Sequence, residues 1–186
     1  MIFRDMFSGY IAANLRLYSL RNGGMKLSTH AAANFTRGEL AKALRSRSAY
    51  QVNVLIAGYD DDDDDSNADN SNISDEKTEP PSTSTSTAAT TTNTKSSKGG
   101  KASLYFLDYL STLHKQNTAA HGYGAFFSLA LLDKGWRPGL ELDEATQLIK
   151  KCIDEVQKRL VVAPSAFQIT KIDKQGVTAL GMYPEQ

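Results

Sequence analysis

Two strand-like runs separated by a long polar tract constrain this chain more than any other feature. QVNVLIAGY (Gln51–Tyr59) is rich in aliphatic and aromatic residues and runs directly into six aspartates. SLYFLDYLSTLHK (Ser103–Lys115) then resumes a β-forming composition. An antiparallel pair with an expanded tip accounts for both, because each doubling of a flexible loop adds only about 0.6 kcal/mol to its closure cost. The tract between them, residues 60–101, holds ten acidic and four basic residues, Pro80 and Pro81, and a Ser/Thr-rich stretch over 82–94. Its one aliphatic residue larger than alanine is Ile73. Such a composition cannot bury enough apolar surface to offset chain entropy, and the tract is expected to be a disordered, low-complexity insert in a single domain spanning 1–186. A lineage-specific expansion at a tolerant tip is favoured over a phosphorylatable tether or a loose divalent-ion site.

The formal net charge of zero hides an asymmetry, since 17 basic and 11 acidic residues lie outside the tract. This surplus is spread over several helices, as for basic patches meeting acidic neighbours, and not gathered into a nucleic-acid-binding stripe. A strand-borne platform of basic and aromatic residues is absent, so Arg45-Ser46-Arg47 is read as a helix edge and not as an RNA contact. Cys152 is the single cysteine and sits on a helical apolar stripe, which fits a packed thiol in a reducing compartment. No apolar run approaches the roughly 20 residues that cross a bilayer, and MIFRDMFSGY lacks the form of a signal peptide. The expected location is cytoplasm and nucleus, with no membrane or nucleic-acid partner.

Helical periodicity is expected from Phe3 to Leu20, stopped by Gly23 and Gly24, and again from Thr29 to Arg47 with Ser28 or Thr29 as cap. The second helix would face inward through Ala32, Phe35, Leu40, Ala43 and Leu44. A domain that opens on an amphipathic helix implies something already built beneath it, so the chain is expected to lack amino-terminal sequence. The nearly continuous apolar run of Val52, Val54, Leu55, Ile56 and Ala57 predicts a strand covered on both faces. Strands at 104–110 and 113–120 would complete a meander. AFFSLALLD (125–133) predicts a helix buried on most sides. A further helix opens at Glu141 or Asp143 and runs its stripe through Ala145, Leu148, Ile149, Cys152, Val156 and Leu160, with Asp154–Lys158 and Glu155–Arg159 as exposed pairs. FQITKIDKQGVTALGM predicts a closing hairpin turned at Gly176.

Catalytic chemistry finds little to build on. His30, His114 and His121 show no metal-ligand spacing, and His121 beside Gly122 reads as a turn-capping residue. There is no GxSxG elbow, Gly122-Tyr123-Gly124 is too short for a phosphate loop, and Cys152 reads as core and not as nucleophile. No catalytic, cofactor-binding or metal-binding residue is assigned, and no cofactor is expected.

NLRLYSLRNG (Asn14–Gly23), LSTHAAANFTRGELAKALRSRSAYQVNVLIAGYD (Leu27–Asp60), SLYFLDYLSTLHK, AAHGYGAFFSLALLD and LLDKGWRPGLELDEATQLIKKCIDEVQKR together resemble the β-subunit family of the 20S proteasome, and within it a non-catalytic member. The resemblance covers nearly all of the chain outside the insert. It implies an α+β fold, the N-terminal nucleophile hydrolase αββα sandwich, incomplete here at the N-terminus. The implied role is that of a structural subunit packed among other β and α subunits of a hetero-oligomeric barrel that degrades ubiquitin-marked proteins. Active members carry a threonine nucleophile, an aspartate and a lysine on opening strands that have no counterpart here. Where they have Gly-Ser-Gly this chain has Gly122-Tyr123-Gly124, and Leu160 and Ala163 stand where they have an acid and a serine. Thr29 and Thr36 lie inside a helix and cannot substitute. The alternative is an active threonine hydrolase whose nucleophile lies in missing N-terminal sequence.

Overall fold

The computed structural model describes residues 2–47, 49–61 and 100–184, and the disorder expected of the insert concerns residues outside that set. Two helices come first, α1 (Ile2–Arg21) and α2 (Thr29–Leu44), then three strands, β1 (Val54–Asp60), β2 (Lys101–Leu107) and β3 (Leu113–Gln116). A second pair of helices, α3 (Ala125–Gly135) and α4 (Leu142–Arg159), precedes the hairpin of β4 (Phe167–Asp173) and β5 (Gly176–Tyr183). β1, β2 and β3 form one antiparallel sheet in chain order, and β4 and β5 form a second.

Local chemistry sets the helix ends. α1 stops where Gly23 and Gly24 take positive φ, which lets the Gly24 N–H return to Ser19 O at 2.8 Å. Ser28 caps α2, its hydroxyl accepting from Ala31 N at 3.2 Å. A second cap reaches α2 from a distance: Asp60 Oδ1 accepts from both the Thr29 N–H at 2.8 Å and the Thr29 hydroxyl at 2.9 Å. α4 opens at Glu141, where Glu144 accepts the Glu141 N–H at 3.4 Å.

The core joins Phe7 and Ile11 of α1, Ala33 and Leu40 of α2, Val52 just before β1, and Tyr105 and Leu107 of β2. The Phe7 and Tyr50 rings meet at 4.8 Å. Thr36 is buried with this group because its hydroxyl donates back to Ala32 O at 2.8 Å, leaving no unmet polar atom. α3 and α4 pack closely enough that a Cβ on Gly135 would fall 2.4 Å from Leu148 Cδ1, and one on Gly124 3.3 Å from Val156 Cγ2.

Five expectations are corrected, the last in part. Asp60 and Lys101 are not part of the loop; they are the last facing pair of an unbroken β1–β2 ladder that begins at Val54↔Leu107. β1 is not covered on both faces, since Leu55 and Ala57 are exposed while Val54 and Ile56 pack toward the core. The third strand ends at Gln116, well short of 120. α3 buries only Ser128 and Leu132, because α4 is the helix that covers it, and Phe126 remains 80% exposed. Of the two exposed pairs expected on α4, Glu155–Arg159 forms at 2.5 Å, whereas Asp154 accepts the Tyr183 hydroxyl at 3.0 Å.

Candidate functional site

The loop 121–124 and the C-terminal end of α4 converge on one cleft of about 330 Å³. His121, Gly124 and Ser128 line it on one side and Cys152, Val156, Leu160 and Phe167 on the other. The convergence follows from the antiparallel α3–α4 pair, which returns the end of α4 to the start of α3. Gly122 holds φ +79° there, and Tyr123 projects to solvent with 78% of its surface exposed.

The polar groups of this cleft are committed to structure. His121 Nε2 lies 3.3 Å from Val54 O, to which its N–H donates, and the ring stacks on Phe106 at 4.3 Å. His121 thus ties the loop to β1, a fixing role in place of the turn cap expected. The Ser128 hydroxyl donates to Gly124 O at 3.0 Å, and Cys152 Sγ donates to Ser128 O at 3.9 Å. Burial pushes the Cys152 thiol up, away from the thiolate a nucleophile needs. No nucleophile and base stand within hydrogen-bond reach of each other among the described residues of the cleft.

The other two histidines sit apart from it. His30 Nδ1 is 3.1 Å from the Tyr105 hydroxyl, and Asn34 Nδ2 approaches His30 Nε2 at 2.8 Å, while His114 lies on exposed β3 opposite Phe106. No cluster of three metal-ligating side chains occurs among the described residues, and none of their helices is long and apolar enough to cross a membrane.

A second, more apolar cleft of about 420 Å³ runs beneath α1. Phe7, Ile11 and Leu15 form its roof, Ala32 and Thr36 its side, and every residue from Val52 to Ile56 its floor. Neighbouring residues of a strand point to opposite faces, so Val54, Leu55 and Ile56, consecutive in β1, line one cleft together where it follows the strand's edge. That edge of β1 is the one opposite β2, and no strand pairs with it among the described residues. Sequence reading missed the cleft; its one signal was the run of apolar residues that called for cover on both sides.

Apolar side chains are also exposed in groups: Leu20 and Met25 at the α1–α2 turn, Tyr123 and Phe126 around the start of α3, Val161 and Val162 after α4, and Val177, Leu180 and Met182 on β5.

Residues 88–172 match the family model described as proteasome subunit. The chain is 40% identical over 178 residues to the proteasome subunit beta type-2-B of Arabidopsis thaliana, spanning 96% of this chain and 70% of that protein. It is 43% identical over 173 residues to the beta type-2 subunit of Oryza sativa subsp. japonica, spanning 93% and 63%. With the beta type-4 subunit of Saccharomyces cerevisiae it shares 33% identity over 180 residues, spanning 97% and 72%.

Proposed function

This chain belongs to the proteasome β-subunit family, and from that premise we propose that it is a non-catalytic structural subunit of the 20S core particle, filling the type-2 position of the β ring. The family's fold is the N-terminal nucleophile hydrolase sandwich, and the alternation of helix pairs and antiparallel sheets seen here is compatible with it. Its work is to hold neighbours in register around the chamber in which ubiquitin-marked proteins are cut, in cytoplasm and nucleus.

The observation that carries the reading is Tyr123. Active members place a serine there to support the nucleophile; this chain places a bulky phenol that points away from the cleft into solvent. The companion positions Leu160 and Ala163 supply no proton-transferring group either. The exposed faces of α3 and β5 support a role in packing, because apolar surface left open in one chain is covered when neighbouring subunits close on it.

The open edge of β1 supports a second element of the reading: the sheet continues through a further strand that the described residues do not supply. Part of each relative lies outside the span it shares with this chain, and we place the origin of that strand there.

Purification of core particles from cells expressing the tagged full-length protein tests the proposal. The chain is expected in the particle and unlabelled by a covalent probe for amino-terminal threonine, while its neighbours are labelled. A covalent adduct on this chain would establish instead the active hydrolase, with its nucleophile on sequence upstream.

A further inference from the structure

A groove of about 560 Å³, separate from both clefts above, opens where the chain leaves β3 and passes α3. Phe106 and Leu129 form its apolar floor, the amides of Gln116 and Asn117 one rim, and Asp133 and Trp136 the other. Asp133 lies in the last turn of α3 and Trp136 is its C-cap residue, and both line the groove. The indole is 38% exposed, and Asp133 has no ion-pair or side-chain hydrogen-bond partner among the described residues. Neither Lys134 nor His114 lines the groove. The C-terminal carbonyls of α3 add to the negative potential at that rim.

We propose that this groove seats an arginine side chain presented by an adjoining subunit, its guanidinium stacked on Trp136 and paired with Asp133. A flat aromatic face beside an unpaired carboxylate suits a planar, permanently charged group, which gains from stacking and from the ion pair together. The amides of Gln116 and Asn117 supply hydrogen bonds to the backbone that carries it. The proposal rests on membership of the β ring.

The test places a photo-crosslinking p-benzoylphenylalanine at Asn117 of the tagged full-length chain and maps the adduct in purified core particles. The adduct is expected on a segment of another subunit that carries an arginine within a few residues. Asp133→Asn, which keeps the shape and removes the charge, is expected to lower recovery of the chain in the particle about three- to tenfold while leaving its own melting temperature unchanged. Asp133→Arg lowers it further, and an arginine-to-aspartate change in the crosslinked segment restores it. An adduct on a segment without a cation, or normal recovery of Asp133→Asn, overturns the groove while leaving ring membership intact. Absence of the unmodified chain from the particle ends both.

Discussion

The β1–β2 and β4–β5 hairpins are each joined by seven antiparallel pairs, but β2 buries Tyr105 and Leu107 against α1 and α2, whereas no residue of β4 or β5 is fully covered. The first ladder runs without a break from Val54↔Leu107 to Asp60↔Lys101. The second shifts register between Ile169 and Thr170, where Gly181 takes φ +123° and Leu180 is left without a partner in the pairing. It packs on the rest through β4 beside β1, and α4 adds side-chain contacts: Asp154 accepts from Tyr183, and Lys150 lies 5.1 Å over the Tyr183 ring. The two ladders hold the same number of pairs, and what separates them most is burial. One hairpin is a core of the chain itself; the other leaves Val177, Leu180 and Met182 open on its surface.

The sharpest way to break this comparison is to truncate an equivalent side chain in each. Leu107→Ala empties a fully buried site and is expected to cost about 2–5 kcal/mol in urea unfolding of the isolated chain. Leu180→Ala should stay within about 0.5 kcal/mol in the same measurement, while lowering recovery in core particles. Equal costs in the isolated chain would show that the second hairpin is a core too.

The next effect concerns the clamp at the end of β1. A Cβ on Gly58 would fall 2.1 Å from Thr29 Oγ1 and 2.9 Å from Cγ2, and Thr29 cannot move without giving up Asp60. Gly58→Ala should therefore cost about 1–3 kcal/mol, and a double-mutant cycle with Thr29→Ala should show coupling, since removal of the hydroxyl and methyl opens the space.

Removal of residues 62–99 is a test of smaller amplitude. It leaves Asp61 and Gly100 as a two-residue connection between the facing pair Asp60↔Lys101, and Asp-Gly is a preferred two-residue hairpin turn. The two backbones already nearly touch, because a Cβ on Gly100 would lie 3.0 Å from Asp61 Cα. The shortened chain should be at least as stable, by up to about 2 kcal/mol from the lower closure entropy, in the same unfolding measurement. A large loss would mean that the first hairpin draws on those residues for its stability.

Ser111 offers a finer probe of the first sheet. It sits in the β2–β3 turn at φ +68°, and its buried hydroxyl has no hydrogen-bond partner among the described residues, while its carbonyl accepts from Arg37 Nε at 3.1 Å and Asp108 Oδ1 holds the turn through Leu110 N and Thr112 N. Ser111→Gly keeps the backbone bonds and removes both the strain and the unmet hydroxyl, so it should stabilise by about 1 kcal/mol in thermal unfolding.

The smallest expected effect is in pH dependence. The hydrogen bond to Glu39 holds the Tyr10 hydroxyl above its ordinary pKa, and the bond to Asp154 does the same for Tyr183. A raised folded-state pKa means stability that is fully present below the ordinary tyrosine value and lost as pH rises through the raised one. Glu39, held low by Lys42 and Tyr10, contributes above the ordinary carboxylate range and loses its share as pH falls through the lowered value. Tyr10→Phe and Tyr183→Phe should each flatten the alkaline limb of a stability–pH curve. Loss from Tyr183→Phe alone would locate that limb in the second hairpin.

Much of this architecture was legible because periodicity reports burial. Cys152 and Val156 lie on the buried stripe of α4 as their spacing requires, and Gly176 turns the last hairpin with φ +108°. The failures have particular causes. Asp60 was read as the first residue of an acidic loop, since composition does not record that its carboxylate caps a helix 31 positions upstream. Thr36 was left out of the core because polarity hides a hydroxyl that its own helix satisfies. Ile153 is buried while Ile149 is exposed, because the stripe drifts around the helix. The apolar run of α3 was taken for a buried helix, when apolar sequence states only that cover is wanted and not which chain provides it. The convergence of loop 121–124 with the end of α4 was the least legible feature, for it depends on how two helices pack and not on any motif.

Because the ladder closes at Asp60↔Lys101 and is fastened to α2 there, a cut anywhere between 61 and 100 would sever the polypeptide but not the sheet. The two pieces, 1–61 and 100–186, each carry one strand of the same hairpin, with the cluster around Leu40, Tyr105 and Leu107 divided between them. Expressed as separate polypeptides they should find each other and reconstitute the subunit, which makes this joint a ready place to split it and to report, by the return of a tethered signal, when it has come together.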